Sequence, residues 1–238
     1  GAALATVLSQ IVSFLWTIYY FTSSKSVMKL KKKNIRLHCD LSKKVIALGS
    51  SSFGVQVGVS AINYIMNVIL RQYGGDLSIG AMAIIQSIMS LLLMPIFGIN
   101  QGVQPILGYN YGARRYDRVK EALFKGIGAA SVICIVGFLS IELFSQYWIV
   151  LFTKEESLLQ LAEYGLRRQV LVFPIVGFQI VSSIYFQAVG KPKLSFLISM
   201  SRQILVLIPC LFFLSSIWGL NGVWYASPLS DFIATIVT

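Results

Sequence analysis

Charge is scarce in this chain. Charged residues make up 12% of it, about half the share of an ordinary soluble domain, so there is too little polar surface to cover a body standing in water. Acids are scarcest, nine among 238 residues, and no two share an apolar run, which removes the paired carboxylates of acid–base catalysis. Histidine occurs once, at His38 beside Cys39, and two adjacent ligands do not build a metal site. Three scattered cysteines, Cys39, Cys134 and Cys210, make neither a disulfide framework nor a metal spacing, and read as reduced thiols. Phosphate-cradling GxxxxGK[ST] and GxGxxG patterns are missing, as is a GxSxG nucleophile elbow. No catalytic constellation is left, so the chain reads as a non-enzyme needing no cofactor or metal.

Apolar length is what the chain has. Hydrophobic residues reach 56% and mean hydropathy is +0.74. A membrane span needs roughly 20 mostly apolar residues, and seven such runs can be placed, at 1–21, 45–70, 79–107, 122–144, 161–189, 194–215 and 218–238. Backbone groups in hydrocarbon must be satisfied within their own segment, and these runs are too long and too regular in their apolarity for barrel strands. The expected fold is an all-α polytopic bundle of transmembrane helices. The chain opens on Gly1 and closes on "DFIATIVT", each inside an apolar run, which reads as part of a longer protein.

The net charge of +11 is unevenly placed. Loop 22–44 holds eight Lys and Arg, loop 112–125 five, and the turn at Lys191 and Lys193 two, whereas the alternate loops share four, Arg71, Lys154, Arg167 and Arg168. Fifteen against four on alternating sides is the positive-inside pattern. It puts loop 22–44 in the cytoplasm of a multi-pass cell-membrane protein and accounts for the charge without nucleic acid. The 23-residue loop also divides the chain into one helix (1–21) and a six-helix unit (45–238).

Polar side chains inside spans are costly unless they face protein or water. In the second run Ser52, Gln56, Ser60, Asn63 and Asn67 fall within about 80° of arc at 3.6 residues per turn. Gln179, Ser183 and Gln187 repeat the pattern in the fifth run. Gln86 and Ser90 share a stripe in the third, joined by Gln101 and Gln104 if the helix continues through Pro95. Single amides can simply tie helices together; three stripes in one unit predict a hydrated cavity. Two charges sit deep. Arg202 lies roughly 12 Å from the start of the sixth run, Asp231 roughly 14 Å above the same face, and the two are expected to pair. Gly54 and Gly58, Gly98 and Gly102, and Gly108 and Gly112 form GxxxG spacings that predict close helix contacts. Pro95 and Pro105 predict bends.

Several stretches are similar to one family. "MPIFGINQGVQPILGYNYGARRYDRVKEAL" strongly resembles the eighth-helix region of the multidrug and toxic compound extrusion (MATE) transporters. "GAALATVLSQ" resembles their sixth helix, "NVILRQYGG" the end of the seventh, "QAVGKPKLSFLISMSRQILVLIPC" the tenth-to-eleventh region, and "WGLNGVWYASPLSD" the start of the twelfth. The resemblance implies a sixth helix at 1–21, an inter-lobe loop at 22–44 and the C-terminal lobe at 45–238 of a two-lobed antiporter with alternating access. It implies export of small amphipathic or cationic molecules against inflowing H⁺ or Na⁺, with an N-terminal lobe and the bilayer as partners. The acids that some relatives carry in the seventh and tenth helices are replaced here by neutral residues, Gln56, Asn63 and Gln179. Coupling is therefore expected from the other lobe or from Asp231. The competing expectation is a flippase for lipid-linked oligosaccharides or polysaccharides, whose pyrophosphate would call for more than one intramembrane arginine.

Overall fold

A computed structural model describes residues 2–22, 39–190 and 201–237, and all regular structure among them is helical. It divides into two compact units, Gly1–Gly49 and Ser50–Thr238. The first contains helix α1, Ala2–Thr22, whose described side chains are nearly all exposed. The rest of loop 22–44, residues 23–38, lies outside the described residues, and helix α2 has already begun at Cys39.

Helix α2 runs from Cys39 to Gly112 with one interior break, at Gly75, where φ is 67° and ψ −166°. A side chain would be strained there; glycine is not. Past the break the chain doubles back, and the buried Ser78 hydroxyl donates to the carbonyls of Leu70 and Gly75, each at 2.8 Å. This turn separates the second and third expected spans. Pro95 and Pro105 lie inside the helix without leaving helical φ and ψ.

Helix α3, Tyr116–Val150, has an interior break at Phe144, the residue where its apolar run was expected to end. Helices α4 (Glu156–Gln169) and α5 (Phe173–Ala188) are one expected span bent by 58°. Pro174 opens α5 and has no N–H to continue the α4 ladder. A π-helical segment, Ser201–Leu207, leads into α6, Ile208–Trp218, where Pro209 likewise withholds a donor. Gly219 turns the chain at φ 56° into α7, Leu220–Val237.

Among the described residues three helices could cross a membrane by length and composition, α1, α2 and α3, or four counting the bent pair α4–α5. The α2 break makes that helix two passes. The sixth expected span is only partly described, and α7 is diluted by Asn221, Ser227, Ser230 and Asp231.

Hydrocarbon offers no hydrophobic reward for helix contact, so close packing must hold the bundle. Glycines mark the approaches. A Cβ at Gly177 of α5 would come within 2.9 Å of the Ala130 backbone of α3, and one at Gly165 of α4 within 2.8 Å of Ile85 and 3.0 Å of Trp224. Gly126 faces Val103 and Val181, and Gly137 faces Leu92 and Phe173, so α3 fills the seam between α2 and α5. The GxxxG expectation fares differently. A Cβ at Gly98, Gly102 or Gly112 would meet nothing within 4 Å among the described residues, while one at Gly108 would be 3.3 Å from the Ala188 carbonyl. The spacing sets two glycines on one face, but the neighbours of α2 lie against its Leu92 and Val103 side. The α2, α4 and α7 contacts converge on a core of Leu70, Ile85, Leu166, Val170 and Trp224.

Candidate functional site: a polar cavity in an apolar bundle

Where α2, α4, α5 and α7 meet they enclose a cavity of about 380 Å³, within the size range of small-molecule sites. Both passes of α2 contribute: Asn63 and Met66 from the first, Gln86, Met89, Leu93 and Phe97 from the second. The α4–α5 elbow adds Gln169, Phe173, Val176 and Ile180, the π-helical segment Leu207, and α7 Ser227, Ser230 and Asp231. Six polar side chains thus share one space with apolar and aromatic walls. Such a lining offers hydrogen-bonding groups beside methionine and phenylalanine side chains that can adapt in shape. Among the described residues Asp231 is the one charged residue in it.

Each polar position has a local cause. Asn63 and Met66 are three apart on one helical face, as are Gln86 and Met89. Gln169 ends α4 just before the 58° bend, with its amide 3.5 Å from the Met82 sulfur. On α7, Ser227, Ser230 and Asp231 lie at i, i+3 and i+4, a single stripe.

The sequence-derived candidates separate. Asn63, Gln86 and Asp231 line the cavity together. Gln179 is buried, and its Oε1 has no hydrogen-bond partner among the described residues. Gln104 Nε2 reaches Gln187 Oε1 at 3.4 Å, joining α2 to α5 away from the cavity lining. Gln56, Asn67 and Gln101 are exposed and lie outside the lining. The Arg202 side chain, and with it the expected pairing to Asp231, lies outside the described residues.

Gln169, Ser227 and Ser230 escaped the sequence reading. Gln169 follows two arginines and belongs to none of the polar stripes; the α7 serines were readable from their spacing to Asp231. Asn100 escaped too: it is buried in α2 with both amide atoms unpartnered among the described residues.

A second polar cluster joins α3 to α4. Ser145 Oγ donates to Glu163 Oε1 at 2.7 Å, and Gln146 Nε2 to Glu163 Oε2 at 3.2 Å. Arg167 donates to Ser145 at 3.0 Å and to Glu163 at 3.0 Å, with Glu142 at 3.8 Å. Ser145 and Gln146 follow the Phe144 break directly.

An apolar, all-helical bundle with a polar cavity among its helices defines a polytopic membrane protein. The chain belongs to the MatE family, whose model matches residues 52–212. Among curated relatives, the multidrug export protein MepA of Staphylococcus aureus (strain bovine RF122 / ET3-1) is 22% identical over 238 residues, covering 99% of this chain and 52% of its own. The chain therefore spans about half the length of the curated relatives it matches. The solved structure of the MATE multidrug transporter DinF-BH is 34% identical, with a TM-score of 0.84, over 100% of this chain and 53% of that one. A MATE structure in complex with MaL6 shares the fold at a TM-score of 0.87 and 22% identity, over 99% and 54%.

Proposed function

We propose that the chain is the C-terminal part of a secondary active exporter in the cell membrane, carrying small amphipathic or cationic molecules outward in exchange for H⁺ or Na⁺ by alternating access. In this reading 1–21 closes an N-terminal lobe, 22–44 is a cytoplasmic linker and 45–238 is the second lobe. No catalysis is involved. The observation that carries the reading is the 380 Å³ cavity, with neutral hydrogen-bonding groups, soft apolar walls and, among the described residues, a single acid. Amides and hydroxyls bind varied cations without fixing their shape, and one carboxylate can take up an inflowing cation. The MepA relatives are called multidrug export proteins, which supports the same class of substrate.

The test uses the full-length protein in cells, loaded with a panel of fluorescent cations, with and without imposed H⁺ and Na⁺ gradients. Gradient-dependent efflux that Asp231→Asn weakens supports the proposal. Absence of gradient-dependent efflux across the panel overturns it.

A further inference from the structure

On the other side of α7 lies a second, larger hollow. An open hollow of about 750 Å³ lies between the α4–α5 elbow, α6 and α7, with Tyr164, Leu171, Trp218, Asn221, Tyr225 and Phe232 among its walls. It is a trough with a direction. From Asn221 beside the α6–α7 turn to Phe232, eleven residues of helix rise about 16 Å, close to half of a ~30 Å hydrocarbon core. The trough is thus about one leaflet deep. Trp218 and Asn221 flank the turn and Tyr225 lies one helical turn further in; tryptophan and tyrosine favour the level where hydrocarbon gives way to headgroups.

A cation stands over these rings. The Arg168 guanidinium lies 3.1 Å from the Tyr164 ring centre and 5.6 Å from that of Tyr225, and Nη1 donates to the Tyr164 carbonyl at 2.9 Å. Its Nε is buried without a hydrogen-bond partner among the described residues. None of the ion pairs among the described residues includes Arg168, whereas its neighbour Arg167 is engaged by Glu163 and Glu142. A long basic side chain beside an apolar trough is suited to an anion at the headgroup level.

We propose that this trough holds one phospholipid of the leaflet beside the α6–α7 turn, its acyl chain against Trp218 and Phe232 and its anionic headgroup on Arg168. This site is independent of the export reading. It is separated from the polar cavity by α7 and the α4–α5 elbow, and among the described residues its walls carry no acid.

The test reconstitutes the full-length protein in nanodiscs containing brominated-chain phosphatidylglycerol or brominated-chain phosphatidylcholine at increasing mole fraction. The fluorescence of Trp218 is read as the difference between wild type and Trp218→Phe, a change at an exposed position. Quenching at about fivefold lower phosphatidylglycerol than phosphatidylcholine is expected, the effect of one basic side chain at an anionic headgroup. In Arg168→Gln the two lipids should become equal. Equal quenching by both lipids in wild type overturns the proposal. So does no quenching by either, which would mean that protein covers the trough. The wild-type comparison decides the matter even if Arg168→Gln does not fold.

Discussion

Ser145 and Glu163 are joined across the α3–α4 contact by a 2.7 Å hydrogen bond, and Arg167 donates to both of them. Ser145 is buried, so its hydroxyl is satisfied inside protein and cannot fall back on water. Removing one partner of such a set strands the others.

Ser145→Ala is therefore expected to destabilise the full-length protein by about 1–3 kcal/mol, read as a lowered Tm in detergent. Arg167→Gln, at a more exposed site, should lower it less. An unchanged Tm for Ser145→Ala would remove this cluster as a brace for α4.

The α3–α5 crossing gives a sharper contrast. Gly177→Ala sets a Cβ 2.9 Å from the Ala130 backbone, which cannot swing aside as a side chain would. The helices must part, at a typical overpacking cost of about 1–3 kcal/mol. Gly128→Ala on α3 meets nothing within 4 Å among the described residues and should leave Tm unchanged or raise it, since alanine favours helix. Equal effects of the two changes would argue against a close crossing.

Within the cavity, Gln169→Leu and Gln86→Leu keep side-chain bulk while removing an amide. Each should leave Tm nearly unchanged and lower efflux of the more polar cations selectively, by about tenfold if one hydrogen bond of about 1.4 kcal/mol is lost. Gln101→Leu, outside the lining, is the control. A loss as large in the control would dissolve the distinction.

Thiol chemistry tests the orientation. Cys39 is exposed, whereas Cys134 is buried. In the full-length protein a permeant maleimide should modify Cys39 and spare Cys134, and an impermeant maleimide applied outside intact cells should spare both. Modification of Cys39 by the impermeant reagent would reverse the assigned sidedness.

These residues also show how far sequence alone reaches. Helix positions followed from apolar length, and the gap between the runs at 45–70 and 79–107 holds the turn that Gly75 and Ser78 make. Asn63 and Gln86 were legible because period 3.6 reports which face a residue occupies on its own helix. Period does not report what stands opposite that face. Gln56 shares the arc of Asn63 yet lies about two turns away, outside the cavity, and Gln101 and Gln104 continue past its lining. Gln169 was hidden because only the elbow beside Pro174 places it there. The Phe144 break, too, had no proline or glycine to announce it.

One rod, α7, together with the α4–α5 elbow, parts the two hollows. Tyr225 and Phe232 face the outer trough, while Ser227, Ser230 and Asp231 face the inner chamber. A sideways shift of that rod enlarges one compartment as it shrinks the other, so whatever fills the first resists the filling of the second. On the two readings proposed above, bilayer composition and cargo size thereby become two hands on a single lever.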